Sequence, residues 1–125
     1  LSQPSEEATR ADKQVIVDLV DTLNANLEGC VGMAANMIGV RKRIIVVRMG
    51  PISMPMVNPV IVSKFGLYET EEGCLSLTGV RKCTRYRDIE VSYLDEAFIQ
   101  RRQKYSGWIA QIIQHEVDHC NGVII

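Results

Sequence analysis

The sequence predicts an α+β domain in which antiparallel β-strands pack around a central C-terminal helix. Three observations lead to this fold class. Apolar residues recur at helical spacing near the N-terminus, whereas residues 89–94 alternate between apolar and polar side chains, as in a half-buried strand. A second helical pattern, over residues 106–120, is apolar on more than one side, which is typical of a helix in the middle of a domain.

The first predicted helix follows a polar segment with capping residues. Thr9 and Asp12 have the spacing of a capping box, and Gly29 is a suitable C-terminal stop. The apolar stripe between these signals consists of Ile16, Leu19, Val20, Leu23 and Leu27. We expect this helix to pack on the core through that stripe and to have no chemical role.

The middle of the chain predicts two strands and two irregular segments. Residues 30–40 are small, apolar and uncharged, which suits either a close approach of another chain or a ligand to the backbone or a tightly packed turn. Residues 44–47 predict a buried strand, and residues 56–63 predict another that is interrupted by Pro59. Residues 71–76 have the composition of a loop.

The C-terminal part predicts a hairpin followed by the last helix. The strand at residues 89–94 is followed by a turn at residues 95–96 and a returning strand at residues 97–105. Its charges are expected on a solvated face: Arg101, Arg102 and Lys104. Ser106 can cap the last helix, and residues 121–122, Asn-Gly, suit its end.

Length and composition bound the class of protein. A chain of 125 residues suits one domain covering residues 1–125, and 46% hydrophobic with 23% charged residues is an ordinary globular balance. A net charge of −1 without a basic block argues against nucleic acid or an acidic membrane surface as a partner. With no membrane span or signal peptide recognised, we expect a cytoplasmic protein whose thiols are reduced. Cys30 and Cys83 are then expected to be small buried side chains.

The chemistry is concentrated in residues 115–119, which contain both histidines of the chain. His115 and His119 lie about one turn apart on one helix face, so both imidazoles can reach a single metal ion. Glu116 lies between them and can take a proton from a metal-bound water. We therefore predict a metal site. The alternative is a helix with two solvated or hydrogen-bonded histidines.

A catalytic metal usually has three protein ligands and one open position. After His119 only Cys120 has a typical ligand side chain, and it points roughly a third of a turn away from the histidine face. The third ligand must therefore come from upstream, which excludes the ordinary arrangement of HExxH metalloproteases.

Residues 72–76, Glu-Gly-Cys-Leu-Ser, together with the segment His-Glu-Val-Asp-His at residues 115–119, resemble the peptide deformylase family, whose motifs EGCLS and HExDH occur in this order. Gln114 and residues 121–122 extend the match, which runs from about residue 9 to the C-terminus. The resemblance implies Cys74 as the third ligand and Fe(II) as the cofactor. A thiolate with two imidazoles also suits zinc, and Zn(II), Ni(II) or Co(II) could occupy a purified sample.

The resemblance further implies removal of the formyl group from N-formylmethionyl peptides, including ribosome-associated nascent chains. In this mechanism Glu116 accepts the proton of the water, and the backbone N–H of Leu75 stabilises the oxyanion. The resemblance also implies a set of substrate-binding residues: Val31, Gly32, Met37, Gly73, Arg81 and Ile112. The backbone of Val31 and Gly32 would pair with the extended peptide as with an added strand. A solvated surface position is the alternative for Arg81. Asp118 is expected to face away from the metal and to pair with Arg85.

The first family motif, GxGxAAxQ, is altered in residues 30–37. Cys30 replaces the first glycine, and Met37 replaces the glutamine whose amide contacts the oxyanion in the family. A thioether donates no hydrogen bond, and the loss of one such donor typically lowers turnover by about 10²–10³-fold. We expect a divergent deformylase with secure metal binding and reduced turnover. The alternatives are a non-catalytic metal- or peptide-binding homologue and an amidase for another N-acyl substrate.

Overall fold

The computed structural model of the protein describes residues 5–27, 30–73 and 80–122. In this part of the chain, a five-stranded antiparallel sheet has a helix packed on each face. The elements are α1 (Lys13–Ala25), β1 (Gly32–Ala34), β2 (Ile44–Met49), β3 (Ile52–Gly73), β4 (Val80–Leu94), β5 (Gln100–Ser106) and α2 (Gly107–Cys120). The strands follow one another in the sheet in chain order. The predicted α+β fold is therefore confirmed.

Strand β2 is buried on both faces, as its unbroken apolar run predicts. Ile44 and Val46 pack with α1, whereas Ile45 and Val47 pack with α2. All four side chains are 0% exposed. Because successive side chains of a strand point to opposite faces, this one strand joins the two halves of the core.

Helix α1 covers one face of the sheet through the predicted stripe. Its buried residues are Ile16, Leu19 and Leu23. A short 3₁₀ turn at Arg10–Asp12 precedes it, in which Asp12 Oδ2 accepts the backbone N–H of Thr9 at 2.9 Å, as in the predicted capping box. Leu27 lies beyond the helix end and is 37% exposed.

Strands β3 and β4 are longer than the sequence indicates. The predicted loop is wrong for residues 71–73, because β3 continues to Gly73 and Glu72 lies opposite Arg81 of β4. The partner strand supplies the backbone hydrogen bonds, and this outweighs the low strand propensity of the glutamates. Irregularity near Pro59 is confirmed, since the ladder shifts register between Val57 and Val60.

The predicted hairpin of β4 and β5 is confirmed. Asp95 Oδ1 accepts the backbone N–H groups of Ala97 and Ile99 in the turn, and β5 begins at Gln100, three residues later than predicted. Its solvated face is also confirmed, with exposed Arg101, Arg102 and Lys104. Charges on such an edge strand discourage pairing with another chain.

Helix α2 crosses the other face of the sheet and contacts all five strands. Ser106 precedes it as predicted but makes no side-chain capping hydrogen bond. The far end is held by Arg43 Nη1, which donates to Asn121 Oδ1 at 2.8 Å, and by the Ser5 N–H, which donates to the Cys120 carbonyl at 2.7 Å. Within the described ranges, no helix is long and apolar enough to cross a membrane.

Candidate metal centre

The two histidines of α2 face each other inside the protein. Their Nε2 atoms are 3.1 Å apart, and the ring centroids are separated by 4.8 Å. His115 is 7% exposed and His119 is 1% exposed. The spacing of four residues thus brings two ring nitrogens together away from bulk solvent. This excludes a pair of solvated histidines, whereas a hydrogen-bonded pair is compatible with the contacts and the metal site stays a prediction.

Glu72, near the end of β3, orients the first of these rings. Its Oε1 lies 2.7 Å from Nδ1 of His115. Burial by itself would raise the pKa of Glu72, but hydrogen bonds from His115 and Arg85 outweigh burial and lower this pKa to about 2. Since a carboxylate only accepts hydrogen bonds, Nδ1 of His115 donates to Glu72, and Nε2 is the ring nitrogen that faces His119.

Arg85 lies between two carboxylates that belong to different elements. Its Nη2 donates to Glu72 Oε1 at 2.7 Å, and its Nη1 donates to Asp118 Oδ2 at 2.7 Å. The predicted pairing of Asp118 with Arg85 is therefore confirmed. The contacts of Glu72 were missed, because sequence spacing does not reveal which strand faces which helix turn.

Gln114 attaches α2 to β4 immediately before the histidine pair. Its Oε1 accepts the backbone N–H of Tyr86 at 2.8 Å, and its Nε2 donates to the Tyr86 carbonyl at 2.8 Å. Both polar ends of the buried amide are thus satisfied by one residue of the neighbouring strand. This contact fixes the rotation of α2 about its axis and hence the direction of His115.

The backbone of β1 approaches α2 closely at Gly32. A Cβ atom on this residue would lie 2.6 Å from Cγ2 of Ile112 and 3.1 Å from Oε2 of Glu116. A glycine is therefore required here. Of the two interpretations of residues 30–40, tight packing applies at this position, because Gly32 lies against the site helix of the same chain. The approach of another chain or a ligand to this backbone stays a prediction. Glu116, 4% exposed, consequently lies against the first strand of the sheet.

Strand β1 has a neighbour on one side only among the described strands. The carbonyl of Val31 accepts the backbone N–H of Arg48 at 2.8 Å, so this acceptor is used towards β2. Backbone groups of successive strand residues alternate in direction, which turns those of Gly32 towards the open edge. Val31 is 37% exposed.

The altered first motif has a specific local structure. Met37, half-buried in a 3₁₀ turn at Ala35–Ile38, accepts the backbone N–H of Ala34 on its sulfur at 3.4 Å. Asn36 does not take the place of the glutamine, since its Nδ2 donates to the His119 carbonyl at 2.6 Å. The amide of Asn36 thus supports the end of α2.

Several predicted site residues lie outside the described part of the chain. Cys74 and Leu75 belong to the range 74–79, which the structure does not describe. Gly73 pairs with Val80 at the end of the β3–β4 ladder, and the backbone of Arg81 lies in β4, its side chain being outside the description. Within the described residues, no group of three or more His, Cys, Asp or Glu side chains is arranged to hold a metal ion.

The histidine pair itself fits a shared cation. Two nitrogens that each lie about 2.05 Å from zinc in tetrahedral geometry are roughly 3.3 Å apart. The observed separation of 3.1 Å is close to this value.

Two imidazoles still need a third donor. Cys120 is unsuitable, because it is fully buried in the apolar cluster under α2 and burial raises its pKa to about 12. Cys83 is half-buried, and burial followed by its hydrogen bond to Glu72 raises its pKa to about 11.

A helix with two histidines and a glutamate in this spacing, packed against an antiparallel sheet, is the arrangement of metal-dependent hydrolases. The family model described as polypeptide deformylase matches residues 1–125. A peptide deformylase of Clostridium beijerinckii is 61% identical over 125 residues, covering 100% of this chain and 92% of its own length. One from Pelotomaculum thermopropionicum is 41% identical over 114 residues, covering 89% and 74%. The chain belongs to the peptide deformylase family.

Solved structures agree with this assignment. The deformylase of the Vibrio parahaemolyticus bacteriophage VP16T, in complex with actinonin, has a TM-score of 0.88 at 31% identity and covers 100% of this chain and 93% of its own. The enzyme of Synechococcus elongatus, also in complex with actinonin, has a TM-score of 0.89 at 34% identity, with 99% and 70% covered.

Proposed function

We propose that this protein removes the formyl group from N-formylmethionyl peptides, including nascent chains at the ribosome, and therefore acts in the cytoplasm. One observation carries the proposal. The Nε2 atoms of His115 and His119 converge at 3.1 Å, and the buried Glu116 of the same helix lies against the backbone of Gly32. This arrangement suits activation of a water next to an extended peptide at the sheet edge.

The proposed ligands are Cys74, His115 and His119, with Fe(II) as the native metal. Glu72, two residues before Cys74 in the chain, hydrogen-bonds His115, which supports the choice of Cys74 as the third donor. Zn(II), Ni(II) or Co(II) would suit the same donors in a purified sample. When bound, the metal supplies a Lewis acid that lowers the pKa of water and polarises the formyl oxygen.

Glu116 is the proposed general base and acid. It takes a proton from the attacking water and returns it to the leaving amine. The side chain suits this role because it is buried and adjoins the strand that would receive the substrate. The backbone N–H of Leu75 is proposed as an oxyanion donor.

The substrate peptide is proposed to add to the open edge of β1, with Gly32 as the main partner and Gly73 at the end of β3 on its other side. Ile112 adjoins Gly32 and is proposed to border the methionine pocket. Val31 contributes an exposed apolar side chain at this edge. Arg81 is proposed to meet the backbone or carboxylate of the substrate.

Met37 is proposed to leave one oxyanion contact unmade and so to reduce turnover. Its thioether has no proton to donate, and in the structure it accepts the N–H of Ala34. Replacing Met37 by glutamine should raise kcat for a formyl-Met peptide by about 10²–10³-fold. Met37→Leu is the matched control, because it keeps the apolar volume and adds no donor, and we expect no gain from it.

The assay measures formate release by anaerobically purified protein loaded with Fe(II) or Ni(II). Fast turnover by the natural protein, with no gain from Met37→Gln, would show that the account of the first motif is wrong. Parallel assays with acetyl-Met peptides distinguish an amidase of different specificity. Stoichiometric metal without turnover on any N-acyl peptide would indicate a non-catalytic homologue.

A further inference from the structure

A cysteine that the family motif does not contain lies just before the first strand of the sheet. Cys30 stands where the motif GxGxAAxQ has its first glycine. It is half-buried and packs beside the apolar cluster under α1. Its Sγ donates to the backbone carbonyl of Gly32 at 2.8 Å. A glycine at this position has no side chain to make the contact, so the hydrogen bond departs from the family pattern.

The carbonyl that accepts this hydrogen bond lies on the open edge of β1. The N–H of Arg48 donates to the carbonyl of Val31, so these two residues form a hydrogen-bonded pair of the antiparallel ladder. Gly32 and Val47 are the next pair, and such a pair exchanges no hydrogen bonds across the ladder. The C=O of Gly32 is therefore directed away from β2, towards the edge where the peptide is proposed to add. The thiol occupies an acceptor that an added strand would use.

The distance indicates that the thiol and a peptide N–H cannot both use this carbonyl well. A backbone N–H···O hydrogen bond spans about 2.7–3.2 Å between nitrogen and oxygen. The sulfur of Cys30 lies within the same range, at 2.8 Å. Because sulfur is larger than nitrogen, it covers more of the oxygen than a backbone N–H at that distance would. An incoming peptide must displace the thiol before its own N–H reaches the carbonyl.

We propose that the Cys30 thiol competes with the substrate peptide for the carbonyl of Gly32 and thereby raises KM. The inference rests on the proposed function, because it concerns the strand edge at which the peptide is proposed to bind. In the free protein the thiol covers the carbonyl, and in the peptide complex the thiol is released. Since this exchange precedes the chemical step, it changes KM and leaves kcat as it is.

The first experiment measures KM and kcat of the full-length Ni(II)-loaded chain for a formyl-Met peptide. The net contribution of one hydrogen bond corresponds to about 2–10-fold in an equilibrium constant. Cys30→Ala should lower KM by this factor at unchanged kcat. Cys30→Ser keeps a proton donor, so its KM should lie closer to that of the natural protein than to that of Cys30→Ala.

Two control variants separate the hydrogen bond from other effects of the substitution. Cys30→Val keeps an apolar side chain of similar size but donates no hydrogen bond, so its KM should match that of Cys30→Ala. Thr22→Ala removes another side-chain donor to a backbone carbonyl, since Thr22 Oγ1 donates to the carbonyl of Asp18 at 2.7 Å in an exposed part of α1. It should leave KM within about two-fold of the natural value.

The second experiment observes the thiol directly by difference infrared spectroscopy of the Zn(II)-loaded protein. Subtracting the spectrum of Cys30→Ala isolates the S–H stretching band of Cys30, which a hydrogen bond shifts to lower frequency. On saturation with a Met-Ala-Ser peptide, the type of product that the reaction would release, we expect the band to move to higher frequency. This signal does not depend on turnover.

An unchanged KM in folded Cys30→Ala, a natural KM in Cys30→Val, or a thiol band that saturating peptide does not move would overturn the proposal. If the natural protein releases no formate, the proposed function fails, and the affinity for the product peptide, measured by calorimetry, replaces KM in the comparison. An affinity about 2–10-fold higher in Cys30→Ala would still support competition by the thiol. Equal affinities, or no binding by either protein, would overturn it.

Discussion

The two faces of the sheet bury different kinds of side chain. On the α1 face the buried residues around β2 are apolar, with Leu19, Leu23, Ile44 and Val46 at 0% exposure. The α2 face also has an apolar cluster, but charged and polar side chains are buried beside it. These are Glu72, Arg85, Gln114, His115, Glu116 and His119. One strand, β2, contributes to both faces in strict alternation.

This difference separates the residues that stabilise the fold from those proposed to carry out the reaction. Burial of an apolar side chain contributes about 1.5–3 kcal/mol, whereas a buried charge is tolerated only when it is paired and hydrogen-bonded. The α2 face meets this condition through Arg85 and Gln114, at little net gain in stability. We therefore expect the α1 face to provide stability without affecting the reaction, and the α2 face to be sensitive in both respects.

The largest expected effect is that of Glu116→Gln. Loss of a general base typically lowers turnover by about 10²–10⁴-fold, and the neutral amide fits the same buried space. Zn(II) binding and the free energy of unfolding should change little. Formate release and chelator competition measure the two properties on one sample. Exposed Glu69→Gln is the control, and a variant of Glu116 that keeps full turnover would remove it from the mechanism.

On the α1 face, Leu19→Ala should give the opposite pattern. The side chain is 0% exposed, and its truncation should lower the free energy of unfolding by about 2–5 kcal/mol. At a temperature where the variant is folded, kcat should equal that of the natural protein. Urea denaturation and formate release test this, with Val17→Ala, 51% exposed, as the control in the same helix. A drop in kcat would mean that the two faces are coupled.

Gly32→Ala tests the contact between the sheet and the site helix. The new Cβ would lie 2.6 Å from Ile112 Cγ2, so β1 and α2 must separate. A displacement of about 1 Å near the reacting groups can lower turnover by roughly 10²-fold. The double variant with Ile112→Ala removes the nearest clash and should recover part of kcat/KM. Full activity in Gly32→Ala alone would contradict the need for a glycine.

Local sequence patterns predicted the parts that depend on neighbours in the chain. The spacing of His115 and His119 follows from helix geometry, and the buried β2 follows from its apolar run. The extent of β3 did not follow, because residues 71–73 obtain their hydrogen bonds from β4. The contact between Glu72 and His115 depends on this extension, and it joins residues 43 positions apart.

Other parts of the site came from family resemblance or were not predictable. The pairing of Arg85 with Asp118 was inferred from the deformylase pattern and joins residues 33 positions apart. The hydrogen bond from Ala34 to the sulfur of Met37 was not anticipated, because a thioether is a weak acceptor that rarely fixes local structure. The absence of a donor at this position was nevertheless apparent from the residue type alone.

The smallest and sharpest comparison is between Val46→Ala and Val47→Ala. These neighbours on β2 are both 0% exposed, and each substitution removes the same two methyl groups. Each should lower the free energy of unfolding by about 1.5–2 kcal/mol, at roughly 0.8 kcal/mol per buried carbon with a small cavity term.

Val46 packs towards α1, whereas Val47 lies opposite Gly32 and packs towards α2. Only Val47→Ala should therefore also lower kcat/KM, by a few-fold, because it loosens the support of β1. Equal activity of the two variants at equal stability would mean that the site does not depend on the packing beneath it.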